Sequence, residues 1–156
     1  MEYELLKWLH IVSSTVLFGT GMGTAFHGFF GSLRGDVTTN ATVWRNVVFA
    51  DWVFTTPSVI VQPLSGFALV WWVGYGWGES WLVVTYALYA LAGACWLPVV
   101  AIQIKLARIA EQAVADDTPL PATFFRQRTI WFVLGWPAFS ALIGVFYLMV
   151  AKPDFW

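Results

Sequence analysis

Two histidines, His10 and His27, are the residues of this 156-residue chain whose chemistry most needs explaining. Both fall inside one long apolar stretch, Leu5 to Phe30, which reads LLKWLHIVSSTVLFGTGMGTAFHGFF. A neutral imidazole carries one donor and one acceptor nitrogen and is a ready metal ligand. Ionisable groups at membrane depth are costly and mark function by default. On one helix the two rings stand roughly 25 Å apart, at ~1.5 Å per residue. They cannot share one ion or one haem iron, so each must find partners on another helix or another copy.

Counting along antiparallel helices gives each histidine a neighbourhood. Near His10 lie Lys7, one turn before it, and Met149, close to the end of the last apolar stretch. Histidine and methionine on facing helices form an axial pair for haem iron. Lys7 could meet a propionate. No CxxCH occurs, which excludes covalent c-type attachment and leaves haem b. The plainer alternative makes His10 an interfacial histidine bonded to a carbonyl or to water.

Near His27 lie Asp51, Gln103, Arg126 and Arg128. Asp51 could orient the His27 ring through its N–H, or form an ion pair with Arg126 or Arg128 that secures the helix ends. The ion pair is the preferred reading. Gln62, near mid-membrane, would bond across helices or to a quinone carbonyl. Gly19, Gly21, Gly23 and Gly28 thin one side of the first helix, so that another backbone or a flat ligand can approach. The candidate cofactor-binding residues are therefore His10, Met149, Lys7, Gly21, His27, Asp51 and Arg126, with His10 as ligand to the iron.

Other chemistries lack their parts. The sequence has no GxSxG, HExxH, Walker loop or GxGxxG after a strand. Two histidines and the single Cys95 cannot by themselves close a zinc site, and one cysteine forms no internal disulfide. A net charge of -1 provides no basic surface for nucleic acid.

The elements that must position these residues are membrane spans. The chain is 59% hydrophobic and 11% charged, where soluble domains carry about 25% charged residues. Four apolar segments, Leu5–Phe30, Val47–Tyr75, Trp81–Ile104 and Ile130–Val150, each reach the ~20 residues a span needs. The expected fold is all-α, a single domain of four transmembrane helices in an up-down antiparallel bundle. The first segment is too long and too acidic at its start for a signal peptide, so it reads as an uncleaved span.

Pro57 and Pro63 predict a tilted or kinked second span, with Thr55, Thr56 and Ser65 covering the freed carbonyls. GSLRGDVTTNATVWRN reads as a polar connection, GYGWGES as a short turn, and KLARIAEQAVA as helix continuing out of the membrane until DDTPLP breaks it. The pair Gly19 and Gly23, and the series Gly135, Ala138, Ala141 and Gly144, read first as helix-packing surfaces. The connections between spans one and two and between three and four hold Arg34, Arg45, Lys105, Arg108, Arg126 and Arg128, against Lys7 and Lys152 on the opposite face. The positive-inside rule then places both termini on the non-cytoplasmic side of a bacterial inner membrane.

Four blocks, KWLHIVSSTVLFGTGMGTAF, ADWVFTTPSVIVQPLSGFALVWW, LYALAGACWLPVVAIQIKLA and WFVLGWPAFSALIGVFYLMVAKP, together resemble the DUF2269 family of predicted bacterial integral membrane proteins over nearly the whole chain. That resemblance implies topology rather than chemistry. The opening KWLHI is also similar to the first span of HemJ-type protoporphyrinogen oxidases and of CopD-like copper-resistance proteins. The HemJ-type resemblance implies a haem b role for His10 alone. The expectation is a small haem b protein of membrane electron transfer or porphyrin redox chemistry, in contact with lipid, assembled as a homo-oligomer or within a larger membrane complex, with quinone as a candidate partner. The alternative is a cofactor-free accessory subunit of a larger membrane complex.

Overall fold

The computed structural model describes residues 1–156, the side chain of Arg34 excepted, and contains helices but no strand among the described residues. α1 spans Glu2–Arg34 and α2 spans Val37–Ala50. A π-helical turn, Asp51–Thr55, joins α2 without a break to α3, Thr56–Val73. α4 covers Ser80–Ala115 and α5 covers Ala122–Ala151. These make four rods long and apolar enough to cross a bilayer, the second being Val37–Val73.

Both termini and the 74–79 turn lie at one end, called here the terminal end. Gly74 stops α3 with φ +81°, a backbone that glycine adopts without strain. Ser80 Oγ donates to the Pro153 carbonyl at 3.3 Å and accepts from the Phe155 N–H at 2.8 Å. Lys152 Nζ donates to the Tyr75 hydroxyl at 2.6 Å. Large apolar side chains point outward along the rods, because lipid solvates them as well as a core would. Trp8, Trp71, Trp72 and Trp77 are among them, an exposed aromatic belt around the terminal end.

At the far end the structure departs from the sequence reading. The stretch expected as a polar connection is mostly helix α2, and the second span begins at Val37 rather than Val47. Its start is capped by Asp36, whose carboxylate accepts from the Thr39 N–H at 2.7 Å. That bond holds the Asp36 carboxyl below the usual carboxylate range. Asn40, Val43, Trp44 and Val47 then fall at helical spacing on one buried face. Asn40 satisfies its whole amide. Nδ2 donates to the Gly35 and Asp36 carbonyls, each at 2.9 Å, and Oδ1 accepts from Ser32 Oγ at 2.7 Å.

α4 has 36 residues, roughly 54 Å at ~1.5 Å per residue, whereas the hydrocarbon core is ~30 Å thick. Its last turns leave the lipid, and there an ordinary packed core forms from Trp44, Val47, Leu106, Ala110, Phe124 and Trp131. Gly28 and Gly31 of α1 close onto this region, since a Cβ on them would lie 3.2 Å from Trp131 and 2.9 Å from Val43. α5 starts at Ala122, earlier than the expected Ile130, because Phe124 and Trp131 belong to this core.

The second span changes partner along its length. α2 lies against both α4 and α1, whereas α3 lies against α1. The π-helical turn sits at the handover. Pro57, in the first turn of α3, would press on the carbonyl four residues earlier in a regular helix. Widening the helix relieves that contact, and the Thr56 N–H donates to the Asp51 carbonyl five residues back. The kink expected from the prolines thus takes the form of a π turn. Thr55 does not cover a freed carbonyl as expected, because its hydroxyl has no partner within the protein.

Candidate functional site

The α1–α3 and α4–α5 pairs enclose two cavities, one above the other along the bundle. Leu17, Tyr89 and Leu142 line both and divide them. Tyr89 is fixed by donating its hydroxyl to the Val59 carbonyl at 2.8 Å.

The cavity at the terminal end has a volume of about 610 Å³ and is lined by His10, Gln62, Gly66, Met149, Lys7 and Lys152 among others. That size suits a drug-sized or cofactor-sized ligand. His10 is held from both sides of its ring. Ser65 Oγ lies 2.9 Å from Nδ1 and itself donates to the Val61 carbonyl at 2.7 Å. A hydroxyl has one proton, so Ser65 accepts from His10 and the imidazole proton sits on Nδ1. Nε2 therefore carries the lone pair, and it accepts from Gln62 Nε2 at 3.1 Å. Gln62 Oε1 in turn accepts from the Ser13 hydroxyl.

Gly66 completes the cradle. A Cβ there would stand 3.2 Å from His10 Cε1. Gly66→Val adds a branched side chain against the ring, and the expected cost is ~1–3 kcal/mol of stability, typical of overpacking. Unfolding in detergent, followed with and without His10→Ala, checks this. The penalty should shrink when the ring is absent.

The second cavity, toward the far end, has a volume of about 450 Å³ and apolar walls. Its polar groups are Asp51, Thr55 and Gln103, each at least nine-tenths buried. Asp51 Oδ1 accepts from Trp96 Nε1 at 3.2 Å, and Gln103 Oε1 accepts from Trp131 Nε1 at 3.3 Å. Asp51 Oδ2, Thr55 Oγ1 and Gln103 Nε2 make no full hydrogen bond within the protein, although Thr55 and Gln103 both face the Asp51 carboxyl. Gly21, Gly93 and Gly135 line this cavity, and a Cβ on any of them would meet nothing within 4 Å.

His10, Met149 and Lys7 thus face one cavity, while Gly21 and Asp51 face the other. His27 and Arg126 are exposed and line neither. Among the described residues no bond joins Asp51 to His27, Arg126 or Arg128. Arg128 instead donates to the Ser32 carbonyl at 3.1 Å and to Ser32 Oγ at 3.3 Å. Gly19 and Gly23, expected to pack a neighbouring helix, would meet nothing within 4 Å even with a Cβ. Gly144 does pack, its Cβ position lying 3.0 Å from Leu88.

The sequence reading named Gln62 and Ser65 for other tasks and missed their bonds to His10. The signal was available, because Gln62, Ser65 and Gly66 fall at helical spacing and, counted from the terminal end, at the depth of His10. Lys152 was also missed as a second cation at that cavity.

The profile of the family described as "Predicted integral membrane protein (DUF2269)" matches residues 4–153. The chain belongs to the DUF2269 family. Nothing among curated proteins and nothing among solved structures matches it. In this DUF2269 protein the matched region contains nearly the whole of the four spans, and of the residues that line the two cavities only Tyr3 falls outside it.

Proposed function

We propose that this protein binds haem b in the terminal-end cavity, with His10 as axial ligand, and serves electron transfer or porphyrin redox chemistry in a bacterial inner membrane. One observation carries the reading: the Nδ1–H of His10, a residue that lines the cavity, is anchored on Ser65, so that Nε2 carries the lone pair. An imidazole that ligates a metal is ordinarily held in this way, with its other N–H donated to an oxygen.

The remaining donors suit the group. Met149 is half-buried on the α5 wall and offers a thioether, a known second axial ligand. Lys7 and Lys152, near the two chain ends, supply cations for propionates. Gln62 donates to Nε2 and must turn aside for ligation, so its amide competes for the ring. When bound, the group would supply one-electron chemistry. The chain's own part is to fix the imidazole tautomer, exclude water and neutralise the carboxylates. The excess of lysine and arginine at the far end supports an orientation with both termini outside the cytoplasm.

Absorption spectra of the purified protein, oxidised and dithionite-reduced, test the reading. A haem spectrum is expected, and Gln62→Ala should keep or raise the haem content. No haem absorption from cells supplied with haem overturns it.

A second reading has its own support. Both ring nitrogens of His10 already have partners in the protein, as a purely structural network requires. The chain would then be a cofactor-free subunit that assembles with its own copies or with larger membrane partners through its aromatic exterior. Native mass spectrometry showing a stable partner and no porphyrin mass would favour it.

A further inference from the structure

The second cavity has features that the His10 reading does not use. Three polar side chains, Asp51, Thr55 and Gln103, are buried in it; Thr55 and Gln103 face the Asp51 carboxyl, yet Asp51 Oδ2, Thr55 Oγ1 and Gln103 Nε2 each stop short of a full hydrogen bond. Native proteins seldom leave such groups unpaired, because each costs the desolvation of a donor or acceptor. The three atoms are complementary in kind. A carboxyl oxygen accepts, an amide N–H donates and a hydroxyl does either. The surrounding wall is almost wholly apolar and aromatic, with Trp96 and Trp131 fixed by bonding to Asp51 and Gln103.

The cavity also has a side entrance. α1 and α5 touch through two stacked ring pairs, Phe18 with Phe139 at 4.6 Å and Phe29 with Phe132 at 4.3 Å between centroids. Phe18 and Phe29 are roughly 16 Å apart along α1, at ~1.5 Å per residue. Between these posts the cavity lining includes Met22 and Phe26 of α1 and Trp136 of α5, which are 50%, 65% and 62% exposed. Residues that line a cavity and also face lipid mark an opening into the bilayer. Gly21 and Gly135 stand beside it with open space where side chains would be.

We infer that this cavity binds a membrane-soluble quinol, which enters from the lipid between α1 and α5. Its flat ring lies among the aromatic walls. One hydroxyl donates to Asp51 Oδ2, and an oxygen accepts from Gln103 Nε2. The tail leaves through the window into lipid. Donor and acceptor are both required, so a plain acyl chain satisfies neither polar atom. The inference stands on this cavity alone and does not rest on the His10 reading.

The test uses the full-length protein in detergent with decylubiquinol, kept reduced under anaerobic conditions, and decylbenzene as an apolar control. Binding is followed by equilibrium dialysis. Decylubiquinol should bind at least about tenfold more tightly than decylbenzene, because only the quinol pairs the buried polar atoms. Gly135→Leu and Gly21→Leu fill space rather than displace neighbours, and each should weaken quinol binding by about tenfold or more without lowering the unfolding temperature of the ligand-free protein. Equal binding of quinol and decylbenzene overturns the inference. So do filled variants that fold and bind quinol as wild type does, or a phospholipid, seen by native mass spectrometry, that decylubiquinol fails to displace.

Discussion

Replacing His10 by alanine is expected to remove haem from the purified protein, with at least a tenfold fall in the ratio of haem to protein absorbance. The ring is the one imidazole that faces the terminal-end cavity, and His27 is exposed and outside it. Met149→Leu keeps the apolar volume while removing the sulfur. On the proposed reading it should retain haem but change the reduced spectrum, because a thioether would be lost from the second axial position. Ser65→Ala lets the Nδ1 proton go unpartnered, and loss of such an anchoring partner costs ~10–100-fold in metal affinity elsewhere. Together these separate ligation from a merely structural histidine. A haem spectrum that survives His10→Ala with unchanged intensity assigns the pigment to another residue. In that case the Ser65 and Gln62 bonds serve packing alone.

Trp44→Ala is expected to give the largest loss of stability of any single truncation. Trp44 is 0% exposed and stands edge-on to both Trp131, at 5.0 Å between centroids, and Phe124, at 6.4 Å. Its indole N–H also reaches Ser32 Oγ at 3.4 Å. This core lies where α4 has left the hydrocarbon, so the reference state for a buried side chain is water rather than lipid. Truncating a large aromatic in such a core costs ~3–5 kcal/mol. By contrast, Trp71→Ala on the exposed belt removes little packing and should stay within about 1 kcal/mol. Urea unfolding in mild detergent, followed by tryptophan fluorescence, measures both. Equal effects would mean that the far-end core does not hold the bundle together.

The four rods were legible because membrane spans announce themselves by length and apolarity. The depth match of His10 and Met149 was legible from counting alone, since an antiparallel bundle fixes which residues share a level. α2 was not. Thr38, Thr39, Asn40, Thr42 and Asn46 are turn formers by type, and they masked the helical spacing of Asn40, Val43, Trp44 and Val47. Only tertiary context shows that Asn40 is saturated by two carbonyls and a serine. Asp51 was misjudged for a related reason. Opposite charges nearby in depth suggest an ion pair, but azimuth around the helix decides contact, and the indole of Trp96 is the group that faces it. The glycines misled in the same way. Spacing shows that one side of α1 is thin, and it cannot say whether a helix or a cavity fills the gap.

The wide turn at Asp51–Thr55 has one more consequence. Each residue added to or taken from a helix swings everything beyond it by about 100°. The π turn is a one-residue slip of this kind, built in where the second rod leaves α4 and stays on α1. Asp51 at its start and Gln62, Ser65 and Gly66 beyond its end are therefore clocked to different neighbours by a single surplus residue. A change of chain length inside the turn would dial both out of alignment at once.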